Sequence, residues 1–370
     1  MKKYFLFLII LSFISLNYFA QKYAGELAKT EFNLEGKKLN SFYEMSETKK
    51  TFLNFTEIKK GDVVAEIGAA NGVNPGIMST FCDSVTFYAQ DIDEKTLSQD
   101  HLNSTVAYYL KFKTKGQTNT FKRVIGTITN SNLPDGLFDK IFIILSYHDF
   151  DKKDEMLDDI YKKLKPDGKL LINDGFSFPG DTIKCYEDGC HPFPLLVNEI
   201  RRCEQHGFYL TKMRNPNFHA SNYGNFVIFE KNKTRSDAFY KKKNEVDTLV
   251  NKLFLLNQEK NAEDSVLVKQ ITNMLQPQIT KIKEVYYELD TWIKEIGLKY
   301  LRKPNDASAI NILKLNAELF PDSYQANYWL GVAYQRNKQN VLALEKLKLS
   351  LLLEPGNTNA EKRINALTKK

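Results

Sequence analysis

Residues 63–230 alternate between short apolar runs and longer segments whose apolar residues recur at helical spacing. This rhythm is typical of a doubly wound sheet of parallel strands with helices on its faces. The run DKIFIIL, at 139–145, is almost continuously apolar, as in a strand that is covered on both sides. We predict an α/β fold with a Rossmann-like sheet. The predicted strands are 63–67, 85–89, 121–125, 139–145, 169–173, 208–213 and 225–230, and the helices among them are 74–81, 96–112, 154–164 and 195–206.

A turn of small residues follows the first strand, with the pattern Glu66-x-Gly68-x-Ala70-x-Gly72. In the dinucleotide fingerprint G-x-G-x-x-G, glycines let a pyrophosphate approach the start of the next helix. Here a carboxylate at the strand end would repel a pyrophosphate and attract an ammonium group. The predicted cofactor therefore carries positive charge at this point, and S-adenosylmethionine, with its ammonium and sulfonium groups, fits.

Asp91 follows the second strand, 23 positions beyond Gly68. An acidic side chain at this place in a nucleoside-binding sheet accepts hydrogen bonds from both ribose hydroxyls. Asp91 is equally compatible with a nicotinamide dinucleotide and with S-adenosylmethionine. Glu66 is the residue that distinguishes between them.

Residues 59–231 resemble a class I S-adenosylmethionine-dependent methyltransferase, and the YHDF segment is most similar to exported members. The resemblance implies strand order 3-2-1-4-5-7-6 with strand 7 antiparallel. It also implies that a set of residues binds the cofactor: Glu66, Gly68, Ala70, Gly72, Asp91, Ile92, Gly126, Thr127 and Ser146. The segments that carry the resemblance are VVAEIGAANG, AQDID, LPDGLFDKIFIILSYHDF and YKKLKPDGKLLINDG.

The resemblance places Ile92 beside the adenine and brings Gly126 and Thr127 to its edge. Many relatives have an acidic residue there, which accepts from the adenine amine. This chain has GTITNSN instead. The departure is compatible with weaker binding, with a backbone acceptor or with a degenerate site.

Three candidate catalytic residues, His148, Asp149 and Asp174, follow the fourth and fifth strands, at the edge where open α/β sheets bind ligands. Methyl transfer needs a base only when the acceptor is an undissociated oxygen, nitrogen or carbon acid. His148 is the candidate base, or else a hydrogen-bonded side chain that orients its loop. Asp149 is a helix cap, a turn residue or an acid, and the role of Asp174 stays open. We predict no metal site.

The C-terminal region contains a repeat at an offset of 34 residues, in which Gly297 matches Gly331 and Pro321 matches Pro355. The large, small and helix-ending positions resemble two tetratricopeptide units followed by a capping helix at 358–368. Two units bury little surface, so we expect them to stack on the helices before them. The predicted domains are a signal peptide (1–20), an N-terminal helical segment (21–58, with a helix at 41–55), the methyltransferase domain (59–231), a helical linker (232–289, interrupted near 275–278) and the repeats (290–370).

The first twenty residues carry Lys2 and Lys3, an apolar run and a small residue, Ala20, before a predicted cleavage point. They predict a periplasmic or secreted protein, or else an uncleaved N-terminal membrane anchor. Outside the cytoplasm, Cys185 and Cys190 can form a disulfide or, with more ligands, a metal site. His191, His206 and His219 are predicted to be structural or solvated.

The net charge of +7 is not concentrated in a basic cluster, which argues against nucleic-acid binding. Three functions remain. The first is a methyltransferase that acts on a small-molecule or protein acceptor outside the cytoplasm. The second is a non-catalytic protein with the same fold that recruits a protein partner through its helical repeats. The third is a cytoplasmic enzyme whose N-terminus only resembles a signal.

Overall fold

The computed structural model describes residues 56–113, 118–177, 193–214, 225–303 and 305–368, together with the backbone of 32–34 and 37–39. Two compact units make up the chain. The first comprises 1–174, 197–208 and 229–231, and the second comprises 175–196, 209–228 and 232–370. Within the described ranges, no helix is both long enough and apolar enough to cross a membrane.

Five parallel strands form the sheet of the first unit: β3 (Val63–Ile67), β4 (Thr86–Asp91), β5 (Thr120–Ile125), β6 (Phe138–Ile144) and β7 (Leu164–Asp174). They lie side by side in the order β5-β4-β3-β6-β7. This order confirms the 3-2-1-4-5 part of the predicted topology. All five carboxyl ends therefore meet at one edge of the sheet.

The central strands are buried on both faces, as their apolar sequences predict. The helices of this unit are α1 (Val73–Met78), α2 (Gln99–Leu110), α3 (Lys153–Lys163) and α4 (Leu196–Gln205). Helix α2 begins three residues later than predicted because Ser98 caps it, accepting a hydrogen bond from the backbone of His101. Helix α1 ends before the predicted Phe81, whose side chain is exposed.

Strand β7 differs from the prediction at its start. The segment KPDG was predicted to separate helix and strand, but β7 already begins at Leu164. Leu164 pairs with Phe138 and Lys169 with Lys140, so the register shifts between these pairs and accommodates the extra residues.

Two short antiparallel strands, β1 (Phe32–Leu34) and β2 (Lys37–Leu39), lie within the segment predicted to be helical. Sequence periodicity did not indicate this hairpin. The predicted signal peptide at 1–20 and the predicted helix at 41–55 lie outside the described residues.

The second unit contains β8 (Tyr209–Arg214) and most of β9 (Asn225–Glu230), which are neighbours, as predicted for strands 6 and 7. The direction of strand 7 stays a prediction. A further strand, β10 (Tyr286–Tyr287), pairs in parallel with β8. The expectation that the region beyond 231 is entirely helical is therefore wrong at this point. Two tyrosines between helices gave no strand signal in the sequence.

Helices make up most of this unit, which confirms the predicted class of the C-terminal region. A 3₁₀ turn at Gln276–Gln278 interrupts them where the break was predicted. The helices are α5 (Lys233–Val250), α6 (Glu259–Glu263), α7 (Ser265–Leu275), α8 (Ile279–Val285), α9 (Leu289–Arg302), α10 (Asp306–Leu319), α11 (Tyr324–Arg336), α12 (Asn340–Leu353) and α13 (Thr358–Thr368).

Helices α9 to α12 form two helical pairs that repeat at the predicted offset. A Cβ atom at Gly297 would lie 2.6 Å from the side chain of Leu313, and one at Gly331 would lie 2.8 Å from Leu347. Each glycine thus lets the two helices of its pair approach closely. Pro321 follows the end of α10, and the final helix α13 has the predicted bounds.

Candidate functional site

The turn after β3 is a tight cradle. Gly68 has a φ of 77°, and a Cβ atom there would lie 2.5 Å from the Cβ and Oγ atoms of Ser146. The backbone N–H groups of Gly68 and Ala69 both donate to the carbonyl oxygen of Gln90, at 2.9 Å each. Only glycine fits at position 68, because the backbone is left-handed and Ser146 occupies the space of a side chain.

The carboxylate of Asp91 is fixed beside this turn. Its Oδ2 atom accepts from the backbone N–H of Ala70 at 2.8 Å, and its Oδ1 atom accepts from that of Asp93 at 2.9 Å. Each carboxylate oxygen can accept more than one hydrogen bond. The side chain predicted to hold the ribose is therefore oriented by the backbone and has acceptor capacity left for hydroxyl groups.

Glu66 is 1% exposed, and its Oε1 atom accepts from the side-chain amide of Asn74 at 2.5 Å. Asn74 lies in the first turn of α1, so the amide holds the carboxylate at the beginning of that helix. The sequence indicated Asn74 only as a helix-start residue and not as the partner of Glu66. That Glu66 faces an ammonium group stays a prediction.

Gly72 precedes α1 with a left-handed backbone, at a φ of 82°. A Cβ atom there would meet the side chain of Leu102 from helix α2. Ala70 also has a positive φ, 46°, although it is not a glycine. The turn thus uses small residues at alternate positions to change direction between β3 and α1 while staying close to α2.

The loop after β6 bends sharply at Leu145, which was predicted to be the last residue of the strand. Its φ is 53°, and its side chain is 42% exposed. The hydroxyl of Ser146 donates to the carbonyl of Ile67 at 3.0 Å. The buried Tyr147 hydroxyl donates to Glu199 at 2.7 Å. These two hydrogen bonds fix the two residues that directly follow the strained Leu145.

His148 follows directly and contacts the end of β7. Its Nδ1 atom lies 2.9 Å from Oδ1 of Asp174, and its backbone N–H donates to Oδ2 of the same carboxylate at 3.0 Å. Asp174 is fully buried. Because a carboxylate accepts at Nδ1, that nitrogen carries the proton in neutral His148 and Nε2 has the lone pair.

Asp174 also sets the proton affinity of the ring. Burial lowers the pKa of His148, but the hydrogen bond that its ring donates to Asp174 and the charges of Asp174 and Asp149 outweigh this, so the pKa lies above its ordinary value. The ring is thus a stronger base than a free imidazole and takes up a proton more readily.

Asp149 lies in a 3₁₀ turn at Tyr147–Asp149, where its backbone N–H donates to the carbonyl of Ser146. Its side chain is 71% exposed, and its Oδ1 atom lies 3.4 Å from Nε2 of His148. The residue that precedes the next helix is Lys152. Of the predicted roles, Asp149 is thus a turn residue rather than the cap of α3.

The residues predicted to surround the adenine lie after β4 and β5. Ile92 is 56% exposed. The backbone N–H of Gly126 donates to the carbonyl of Asp91 at 2.9 Å, and that of Thr127 donates to Asn130 at 2.7 Å. Both N–H groups are thus used within the protein, and neither is directed at a ligand.

Of the other histidines named from the sequence, His206 lies within the described residues and pairs with two carboxylates. His206 contacts Asp158 at 2.7 Å and Asp154 at 3.2 Å. Cys82 and Cys203 are both free thiols, and burial raises the pKa of Cys82 to about 12. The predicted candidates Cys185, Cys190, His191 and His219 lie outside the described residues.

Residues 65–172 match a protein-family model described as a methyltransferase domain. The match covers the end of β3, all of β4 to β6 and most of β7, and it includes every candidate site residue except Asp174. Comparison with curated proteins finds no match.

Several solved structures are similar to about half of the chain. A SAM-dependent methyltransferase from Aquifex aeolicus has 16% identity, covers 49% of this chain and 86% of its own, and has a TM-score of 0.36. A TehB-like SAM-dependent methyltransferase from Corynebacterium glutamicum has 14% identity, 52% and 96% coverage, and a TM-score of 0.35. The Burkholderia thailandensis 1,6-didemethyltoxoflavin-N1-methyltransferase, solved with S-adenosylhomocysteine, has 12% identity, 51% and 78% coverage, and a TM-score of 0.37. At these TM-scores the likeness carries no argument about function.

Proposed function

We propose that the protein is an S-adenosylmethionine-dependent methyltransferase. The observation that carries the proposal is the buried carboxylate of Glu66, which the side-chain amide of Asn74 holds at the beginning of α1. The Asp91 carboxylate, fixed by the backbone N–H of Ala70, lies at the same turn and suits a ribose. The methyltransferase-domain match over 65–172 supports it. The carboxyl edge of a parallel sheet is also where such folds bind nucleoside ligands.

The residues present fit this cofactor better than a dinucleotide. A pyrophosphate bound at the start of α1 would lie close to the buried carboxylate of Glu66, which disfavours a second anionic group. A cationic amino-acid and sulfonium group is attracted to the same carboxylate. Asp91 supplies acceptors for ribose hydroxyls beside the same turn.

When bound, S-adenosylmethionine supplies an activated methyl group. The chain's own residues position the reactants and move one proton. Asp91 and the Gly68 turn hold the cofactor, so that the acceptor is aligned with the methyl group. Asp174 keeps the proton of His148 on Nδ1, and Nε2 removes the proton from an oxygen or nitrogen acid as it is methylated. The proton leaves to solvent from the partly exposed ring.

The acceptor in this proposal is a protic small molecule or protein group outside the cytoplasm. A histidine base is superfluous for a carboxylate or thiolate acceptor, which supports the protic class. The predicted signal sequence supports the location, and N-terminal sequencing of the mature protein tests it: a start at Gln21 agrees, whereas an intact N-terminus contradicts cleavage.

A second candidate is a non-catalytic protein with the same fold. It is favoured by the adenine edge, where an acidic residue is missing and the N–H groups of Gly126 and Thr127 are already bonded. In this case the tetratricopeptide-like helical pairs recruit a protein partner. The close helix contacts at Gly297 and Gly331 support that resemblance.

Calorimetric titration distinguishes the two candidates. The methyltransferase proposal predicts that S-adenosylmethionine and S-adenosylhomocysteine bind below millimolar concentration and that a nicotinamide dinucleotide, used as the control, does not. No binding of either sulfur nucleoside at millimolar concentration rejects catalysis and favours the partner-recruiting protein.

A further inference from the structure

Gln90 is a buried amide without an internal role. It lies in β4 immediately before Asp91, and it is 1% exposed. Neither Oε1 nor Nε2 has a hydrogen-bond partner among the residues that the structure describes. An amide buried in this way destabilises the folded protein, because it loses its hydrogen bonds to water and gains none in return.

The position of this amide connects it to the cofactor edge. The Gln90 backbone carbonyl already holds the Gly68 turn, and its neighbour in β5 is Val124, two residues before Gly126. A Cβ atom at Gly126 would collide with Nε2 of Gln90, and the same point is 2.8 Å from the carbonyl oxygen of Asn130. The amide therefore packs against the backbone of Gly126, which is expected to approach the adenine edge.

This edge has no carboxylate, and two of its backbone N–H groups are already used. The N–H groups of Gly126 and Thr127 are bonded within the protein, and the loop GTITNSN contains no carboxylate. The adenine amino group donates a hydrogen bond, and the adjacent ring nitrogen accepts one. A glutamine amide offers the complementary pair and binds adenine through two hydrogen bonds.

We infer that Gln90 recognises the adenine of the cofactor, in place of a carboxylate in the loop after β5, which has none. The inference rests on the proposed function. Access to the amide requires the Thr127–Asn130 turn to move, and all four of its residues are exposed. The next residue, Ser131, is anchored by two hydrogen bonds to Asp159, at 2.9 and 2.5 Å, so the movement is confined to the turn.

The test substitutes Gln90→Met, which keeps the size and removes both polar atoms. Two quantities are measured, the melting temperature of the protein alone and the affinity for S-adenosylhomocysteine. Recognition of adenine predicts a raised melting temperature, because an unpaired buried amide is gone, and about a tenfold or larger loss of affinity. A purely structural amide predicts the reverse, a lowered melting temperature with unchanged affinity, and that result overturns the inference.

Thr105→Val is the matched control. The hydroxyl of Thr105 is also fully buried without a described partner, but it lies in the middle of α2. This variant should gain stability and keep its affinity. If Gln90→Met and Thr105→Val lose the same affinity for S-adenosylhomocysteine, the loss does not come from contact with the adenine ring, and the inference is overturned.

Comparing two ligands on the same protein removes the effect of a variant's folding from the test. The wild-type protein should bind the analogue of S-adenosylhomocysteine that lacks the 6-amino group about tenfold more weakly, whereas Gln90→Met should bind the two ligands equally. Equal affinity of the wild type for both ligands overturns the role of Gln90 alone. Failure of the wild type to bind S-adenosylhomocysteine rejects the proposed function itself.

Discussion

Replacing Gly68 by alanine tests the cradle at its tightest point. The left-handed backbone of Gly68 costs an alanine about 1–2 kcal/mol. The new methyl group would also lie 2.5 Å from Ser146, and such overpacking costs about 1–3 kcal/mol. The sum predicts a decrease of about 2–5 kcal/mol in the free energy of unfolding, measured by urea denaturation.

Gly61→Ala is the matched control, because Gly61 has a φ of 90° and no atom within 4 Å of its Cβ position. It should lose only the backbone contribution, about 1–2 kcal/mol. In a Ser146→Gly background, Gly68→Ala should cost less stability than it does in the wild type, because Ser146→Gly removes both clashing atoms. If Gly68→Ala is no more destabilising than Gly61→Ala, or if Ser146→Gly restores nothing, the close approach of the two loops is refuted.

Three further predictions concern the site and the repeat. Asp91→Ala should weaken S-adenosylhomocysteine binding about tenfold or more in calorimetry, since a charged acceptor is lost; unchanged affinity contradicts the ribose assignment. The His148 ring should titrate with a pKa above its ordinary value of 6.5. Base catalysis should therefore rise with pH through that higher pKa. The stabilisation of the fold by the pair of protonated His148 and Asp174 should be lost over the same pH range. Asp174→Asn should lower the NMR titration midpoint, and an unshifted midpoint contradicts the pairing. Gly297→Ala should decrease the free energy of unfolding by about 0–2 kcal/mol, because a steric cost of about 1–3 kcal/mol against Leu313 is offset by about 1 kcal/mol of helix propensity. In a Leu313→Ala background, which itself costs stability, the same change should be stabilising because the steric cost is gone.

Much of the fold could be predicted because its signals are local. The apolar runs and the glycine that ends the first strand depend on neighbouring residues, and the predicted strands follow them. The repeat is visible without any tertiary contact, because the same residue types recur 34 positions apart, and the helical pairs follow it. Strand β10 and the β1–β2 hairpin were missed because two or three residues carry no periodicity. The shifted start of β7 depends on its partner strand, which sequence alone does not specify.

In the candidate site, too, sequence order predicted some features and not others. Asp91 and His148 could be placed at strand ends from sequence order, but their partners could not. The Asn74 amide holds Glu66 across the turn between β3 and α1, and the Asp174 carboxylate meets His148 where two neighbouring strands end. Both contacts depend on how the chain folds back, which residue types alone do not specify. Gln90 gave no signal at all, because an amide in a strand is informative only once its lack of partners is visible.

A crystal structure with S-adenosylhomocysteine bound tests the central proposal most directly. We expect the ribose hydroxyls within hydrogen-bonding distance of the Asp91 carboxylate, and the amino-acid end of the ligand beside Gly68 and Glu66. A ligand bound elsewhere, or a ribose that does not contact Asp91, would contradict the proposed methyltransferase site.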